Sequence, residues 1–257
     1  MAKDSSLPIL IGVAAALAFL GKGGSGCAAD CSEVGPDGGT VAGIRYHEFR
    51  TPGVDANAEL PMLIIFHSLG TAPSFLISAG KSRVQNTDGP VRVIVPQSPR
   101  TIGNKGYFSW FGSLRAGSKD QVALSEMMQQ AGREMDAFIC QITKCRPTVG
   151  KPIVSGTSQG GSMAYLMATL YPNRVSGAVP IAGWLPKDLW DTNMAPTIAG
   201  HGIYDDVVDY DNTAAYWAIM DQYGAPIEYK SFNTGHDVKG GMWGYMNNAV
   251  NELFGYA

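Results

Sequence analysis

Lys151-Pro-Ile-Val-Ser-Gly-Thr-Ser-Gln-Gly-Gly161 is the stretch from which the rest of the chain can be read. Residues 152–155 are β-prone, the next five are punctuated by glycine, and Ser162-Met-Ala-Tyr-Leu-Met-Ala-Thr-Leu170 reads as a helix. The pattern predicts a strand, a tight turn and a helix, with Ser158 on the turn. A serine held there takes a strained backbone. Glycines two positions before and after it let neighbouring elements pass closely while the hydroxyl stays exposed. Glycine fills 32 of the 257 positions, so G-x-S-x-G is a common pattern in this composition and draws its weight from its surroundings.

Outward from this turn, the chain alternates strands and helices. Residues 60–66 and 91–95 are continuous apolar runs, as expected of parallel strands covered on both faces. Residues 41–49 read as an earlier strand after a turn-rich stretch over 33–43, and 175–181, 196–199 and 227–232 as later strands. Helices are expected over 121–142, where apolar residues recur at helical spacing, and over 213–223 and 242–254. The predicted fold is α/β: a doubly wound, mostly parallel sheet with helices on both faces. In such sheets chemistry gathers at the carboxyl ends of the strands.

Composition narrows the function. A net charge of −3 without basic clusters excludes nucleic acid and an electrostatically held membrane surface as partners. Hydrophobic residues make up 45% of the chain, enough for a large core, and residues 27–257 fit one domain. Residues 1–26 differ in character. Lys3 precedes an uncharged stretch whose apolar heart is Leu7 to Leu20. Such a helix is roughly 21 Å long against a hydrocarbon core of roughly 30 Å, which favours a secretory signal over a full span. An uncleaved anchor with Gly21-Lys-Gly-Gly-Ser-Gly26 as tether, and a buried helix, are the alternatives. The expectation is export or membrane attachment through the N-terminus; oligomeric state is not legible.

Four cysteines, Cys27, Cys31, Cys140 and Cys145, form two close pairs. Disulfides fit an oxidising compartment, with Cys27–Cys31 and Cys140–Cys145 as the expected local pairing. Zinc is the rival reading, but the spacings are unlike the usual knuckles and no histidine lies near. Free thiols are the third reading.

Three of the four histidines, His67, His201 and His236, fall just past predicted strand ends, on the rim where Ser158 emerges. A serine hydroxyl needs a base within hydrogen-bond reach, and that base needs a carboxylate to fix its tautomer. On a strand–turn–helix nucleophile the partners follow in the order acid, then histidine. His67 precedes Ser158 and is expected to fix a loop; between Ser158 and His201 no predicted strand end carries an acidic residue placed to orient His201. His236 has such residues before it, in Asp205 and Asp206. The order alone leaves both open, as rivals for that role. A zinc site built from the three strand-end histidines is the competing use, and no metal or organic cofactor is expected.

With these residues in view, the chain resembles the carboxylesterase/phospholipase branch of the α/β-hydrolases, which includes the acyl-protein thioesterases. Gly156-Thr-Ser-Gln-Gly-Gly161 is similar to that branch's G-F-S-Q-G-G, with Thr157 replacing the aromatic. Phe66-His-Ser-Leu-Gly70 is similar to its H-G-L-G loop, with Ser68 replacing the first glycine. Val95-Pro-Gln-Ser-Pro-Arg-Thr-Ile-Gly-Asn-Lys-Gly106 with Ser109-Trp-Phe111, Ala182-Gly-Trp-Leu-Pro186, His201-Gly-Ile-Tyr-Asp205-Asp-Val-Val208 and Gly235-His236 extend the likeness, in order, over residues 40–255. The resemblance implies Ser158 as nucleophile, His236 as general base and acid, and Asp205 as orienting carboxylate. It implies the backbone N–H groups of Leu69 and Gln159 as oxyanion hole. Trp110 and Phe111 either wall an acyl pocket or pack in the core, and Trp184 leans towards the pocket rim. If the loop needs positive φ at Ser68, the serine costs of order 1 kcal/mol there.

The expected function is a serine hydrolase of carboxylic esters, with thioesters as a further class, working through an acyl-serine. A feruloyl- or polyester-depolymerase-like esterase on polymer-linked esters is the alternative. A membrane-tethered binding or structural protein that keeps the fold without catalysis is the rival from another class, and Ser68 is its best support.

Overall fold

The computed structural model describes residues 27–103, 107–112, 114 and 120–256. The expected signal or anchor and its tether, residues 1–26, lie outside them, as do Asn104, Lys105 and Gly106 of the motif after Val95. The turn-rich stretch is a hairpin, β1 (Val34–Gly35) and β2 (Gly38–Val41), turning at Pro36 and Asp37 and running into β3 (Ile44–Arg50). Then come β4 (Met62–Phe66), α1 (Pro73–Gln85), β5 (Arg92–Pro96), β6 (Thr101–Ile102) and β7 (Tyr107–Phe108). The long helix α2 (Gln121–Cys145), β8 (Ile153–Thr157), α3 (Gln159–Leu170) and β9 (Gly177–Ile181) follow. β10 (Thr197–Gly202), α4 (Tyr210–Gln222), β11 (Ile227–Phe232) and α5 (Met242–Phe254) close the chain.

β6 and β7 pair with each other; the other nine strands form one sheet in the order β1-β2-β3-β5-β4-β8-β9-β10-β11. From β5 to β11 all neighbours are parallel, and β1, β2 and β3 are antiparallel. β4, β5 and β9 are buried along their whole length, as the apolar sequences of β4 and β9 require; in β5 the buried Arg92 is answered by Glu48. One core packs α2, α3 and α4 on one face, through Met135, Phe138, Leu166 and Trp217. The other packs α1 and α5 on the opposite face, through Leu76, Met246 and Val250. β5 lies to one side of β4 and β8 to the other, so the loops after β4 and β8 diverge and open a crevice at the strands' carboxyl ends.

Helix starts follow local chemistry. The Asp120 carboxylate accepts the Ala123 N–H at 2.9 Å to open α2, and Asp209 accepts the Asp211 N–H at 2.8 Å to open α4. β10 runs three residues past its expected end, because its pairing with β11 continues through His201↔Ser231 and Gly202↔Phe232. His201 therefore sits inside a strand rather than after one.

The cysteine pairing expected from sequence is incorrect. Cys27 is bonded to Cys140 and Cys31 to Cys145. The reason is the length of α2: with the helix continuing to Cys145, five residues of rise separate Cys140 and Cys145 by about 7.5 Å along the axis, beyond disulfide reach. Both bonds instead staple the segment before β1 to the end of α2, across sequence separations of 113 and 114. Beside them the buried Glu48 carboxylate accepts from Arg92 Nε at 2.9 Å and Arg146 Nε at 2.7 Å, tying β3 to β5 and to the residue after α2. Closing a loop of about a hundred residues restricts the unfolded chain by about 4–5 kcal/mol, and a second bond between the same segments adds less. Reduction is therefore expected to lower stability by about 3–5 kcal/mol, read as urea midpoints with and without dithiothreitol; coincident curves would contradict it.

Candidate active site

Ser158 lies between β8 and α3 with φ 57° and ψ −123°, a backbone that L-residues avoid. The chain can turn this sharply because of its neighbours. A Cβ on Gly160 would lie 2.1 Å from the Phe66 carbonyl oxygen, and one on Gly156 would lie 2.5 Å from the Gly160 carbonyl carbon. Only hydrogen fits at either position. The Ser158 N–H donates to the Ile181 carbonyl at 2.9 Å, fixing the turn against β9.

Two further strands bring the partners. The loop after β11 places His236 so that its Nε2 lies 2.9 Å from Ser158 Oγ. Its Nδ1 lies 2.8 and 3.0 Å from the two oxygens of Asp205, in the loop after β10. A carboxylate can only accept, so Nδ1 carries the proton and Nε2 is left to accept from the serine hydroxyl. Asp205 also accepts the backbone N–H groups of Val207 and Val208 at 2.9 and 2.8 Å, and His201 Nε2–H at 3.0 Å. Burial pushes its carboxyl up, but the hydrogen bonds from His201, His236, Val208 and Val207 more than offset this and hold it far below the usual carboxylate range. Asp206, the sequence rival, is exposed. Asp237 accepts from the Thr234 hydroxyl at 2.9 Å and pairs with Lys239.

His201 is fully buried and holds the acid. Its Nε2–H is shared between Asp205 and the Val208 carbonyl at 2.9 Å, so that nitrogen carries the proton. Its Nδ1 is buried without a partner among the described residues.

The loop after β4 is fixed from several sides. His67 donates Nδ1–H to the Ser68 carbonyl at 2.9 Å and accepts the Ser98 N–H on Nε2 at 3.1 Å. Trp110 stacks on its ring at 4.7 Å and donates to its carbonyl at 3.0 Å. The Trp110 N–H in turn donates to the side-chain oxygen of Gln159 at 2.7 Å. Gly70 supplies the positive φ of this loop, at 74°, and Ser68 does not adopt one. The strain considered for Ser68 is absent, and with it the best support for a non-catalytic fold. Instead, Ser68 Oγ donates to the Thr157 carbonyl at 3.0 Å and lies 3.0 Å from the Thr157 hydroxyl. The two departures from the family pattern thus compensate each other. Leu69 sits between Ser68 and Gly70, and Gln159 is the first residue of α3, where N–H groups have no intrahelical acceptor.

Trp110 and Phe111 are 1% and 3% exposed and pack in the core beneath the site. Trp184 is half-buried against that core, its N–H donating to Ser162 Oγ at 3.1 Å. Trp243 is 39% exposed. Among the described residues, no three His, Cys, Asp or Glu side chains converge as a metal site requires.

His67 gives the molecule an acid limit. Burial lowers its imidazole from 6.5 to about 4. Between those values the unfolded chain binds a proton that the folded chain refuses, so stability rises with pH across the window. Acidification from pH 7 to 4 is expected to remove about 3 kcal/mol through this residue. Urea midpoints at the two pH values should fall less in His67→Gln than in the wild type; equal falls would contradict the assignment.

The model of the phospholipase/carboxylesterase family matches residues 54–252, which contain every residue of this site. The chain belongs to that family. Its members' sequences have drifted far. It is 29% identical over 93 residues to a probable carboxylesterase SOBER1-like of Arabidopsis thaliana, covering 33% of this chain and 36% of that one. It is 26% identical over 185 residues to poly(3-hydroxyalkanoate) depolymerase C of Paucimonas lemoignei, covering 70% of this chain and 38% of that one. The chain thus spans little more than a third of the length of either. Among solved structures, esterase PE8 superposes with TM-score 0.66 at 20% identity over 76% of this chain and 94% of that one. Acyl-protein thioesterase 2 of Zea mays gives 0.61 at 21% identity over 81% and 98%. These likenesses establish the α/β-hydrolase fold.

Proposed function

We propose that the protein is a serine esterase that cleaves carboxylic esters, and thioesters as a further class, through an acyl-serine intermediate. The observation that carries this reading is the unbroken hydrogen-bond chain from Ser158 Oγ through His236 to Asp205. Ser158 Oγ attacks the carbonyl carbon while His236 Nε2 takes its proton. The negative oxygen of the tetrahedral adduct is received by the N–H groups of Leu69 and Gln159, and each such donor contributes roughly 3–4 kcal/mol. As the adduct collapses, Nε2–H gives the proton to the departing alcohol or thiol. Water then enters, is deprotonated by Nε2, and releases the acid. Bound within hydrogen-bond reach of four donors, Asp205 keeps the imidazole in its working tautomer and stabilises the imidazolium.

Polymer-linked esters are the second reading. The relative named as a polyhydroxyalkanoate depolymerase aligns over most of this chain. In addition, Ile203, Tyr204 and Val207 are 39%, 67% and 57% exposed on the loop that carries Asp205, an apolar apron on that loop. The two disulfides support an oxidising, exported setting. No helix among the described residues is long and apolar enough to cross a membrane; attachment through residues 1–26 is the remaining part of the proposal. A panel of acetyl, octanoyl and feruloyl p-nitrophenyl esters, with a polyhydroxybutyrate emulsion, tests both readings. Turnover of any soluble ester supports the esterase, clearing of the emulsion supports the polymer substrate, and inertness towards all would contradict both.

A further inference from the structure

Behind the catalytic turn, on the opposite face of the sheet from α3, lies a cavity of about 270 Å³ between α1 and α5. That is room for roughly nine water-sized groups. Its walls are mostly apolar, from Ile65, Phe66, Leu76, Val95 and Met246, and Phe75 and Trp243, 57% and 39% exposed, stand where it meets the surface.

One wall residue does not belong in such a lining. Arg83 is 4% exposed and borders the cavity from α1. Its guanidinium is held only by neutral partners: the Asn247 side-chain oxygen, Met246 Sδ at 3.3 Å, and the ring of Trp243 4.1 Å beneath it. Among the described residues no carboxylate pairs with it. Burial lowers it to about 10 with no acid pulling it back, so it remains charged at neutral pH. Elsewhere in this protein buried guanidinium groups are answered: Arg92 and Arg146 share Glu48. An unanswered buried charge is costly, and a guanidinium fork is shaped for a carboxylate.

We infer that this cavity is a binding site for an amphiphilic monocarboxylate, its apolar chain along the Leu76–Val95 wall and its carboxylate on Arg83. A single cation matches a monoanion and undercompensates a phosphate. The space suits a chain of medium length. Ser68 and Thr157 line the same cavity, their hydroxyls 3.0 Å apart, so an occupant touches the oxyanion loop and the nucleophile strand from behind. The site does not depend on Ser158 acting as nucleophile, although the ligand class is the acid that ester hydrolysis releases.

Calorimetric titration of octanoate, below its micellar concentration, into the full-length Ser158→Ala protein tests the site apart from turnover. Octanoate is expected to bind at least tenfold more tightly than octan-1-ol, and Arg83→Met to abolish that preference while octan-1-ol binding persists. Ala79→Phe, which narrows the cavity from α1, is expected to weaken both ligands, and it reads out the site even if Arg83→Met does not fold. Equal binding of acid and alcohol, no binding of octanoate, a preference that survives Arg83→Met, or affinities that Ala79→Phe leaves unchanged would overturn the assignment.

Discussion

Ser158→Ala is expected to lower kcat/KM for a p-nitrophenyl ester by on the order of 10⁶-fold while leaving the fold intact. The two effects separate because the serine's contributions are separate. Its backbone, at φ 57°, is imposed by Gly156 and Gly160 and by the bond from its N–H to Ile181, all of which alanine keeps. Its hydroxyl makes one hydrogen bond, to the His236 ring, which is 24% exposed. Losing a bond in that setting costs about 1 kcal/mol of stability. Far-ultraviolet circular dichroism and the thermal midpoint check the fold. A variant that keeps more than about a hundredth of the activity would place the nucleophile elsewhere.

Asp205→Asn carries the second large effect, a fall in kcat of about 10⁴. Every group around the carboxylate is a donor: His236 Nδ1–H, His201 Nε2–H and the N–H groups of Val207 and Val208. An amide presents a donor of its own to one of them, and the group free to turn away is the His236 ring. Once turned, or switched to the other tautomer, it no longer offers Nε2 as acceptor to the serine. Asp206→Asn, at an exposed side chain, is expected to leave kcat within about twofold of wild type. An inactive Asp206→Asn beside an active Asp205→Asn would reverse the assignment of the acid.

How much of this was legible depends on which force fixed each element. β11 and α5 stand where the sequence places them, at Ile227–Phe232 and Met242–Phe254, because local pattern and tertiary burial agree there. Helix α1 was invisible for a physical reason. The inward line of Leu76, Gly80 and Arg83 keeps helical spacing, but only one of the three is apolar. Gly80 is required because the Phe49 ring lies where a Cβ would be, 2.1 Å away, and Arg83 turns into the cavity. No hydropathy pattern signals a helix that packs on a glycine and a guanidinium.

The site shows the same division. That Ser158, Asp205 and His236 would meet was readable because the proposed chemistry demands three residue types in one order at strand ends. The brace between Ser68 and Thr157 was not, since those residues lie 89 positions apart and each reads alone as a departure from pattern. His201 was placed one step late because β10 is lengthened by pairing with β11, which sequence periodicity does not contain. The disulfides failed for the converse reason: proximity in sequence suggested local bonds, and the rigidity of α2 forbids them.

The most direct test of the account is covalent. Wild-type protein treated with an alkyl fluorophosphonate and analysed by intact mass, then by peptide mapping, should carry one phosphonyl adduct, on the peptide containing Ser158. Ser158→Ala should carry none, and Asp205→Asn should label far more slowly than wild type. A folded wild-type protein that stays unmodified, or an adduct on a residue other than Ser158, would contradict the claim that this serine is the nucleophile.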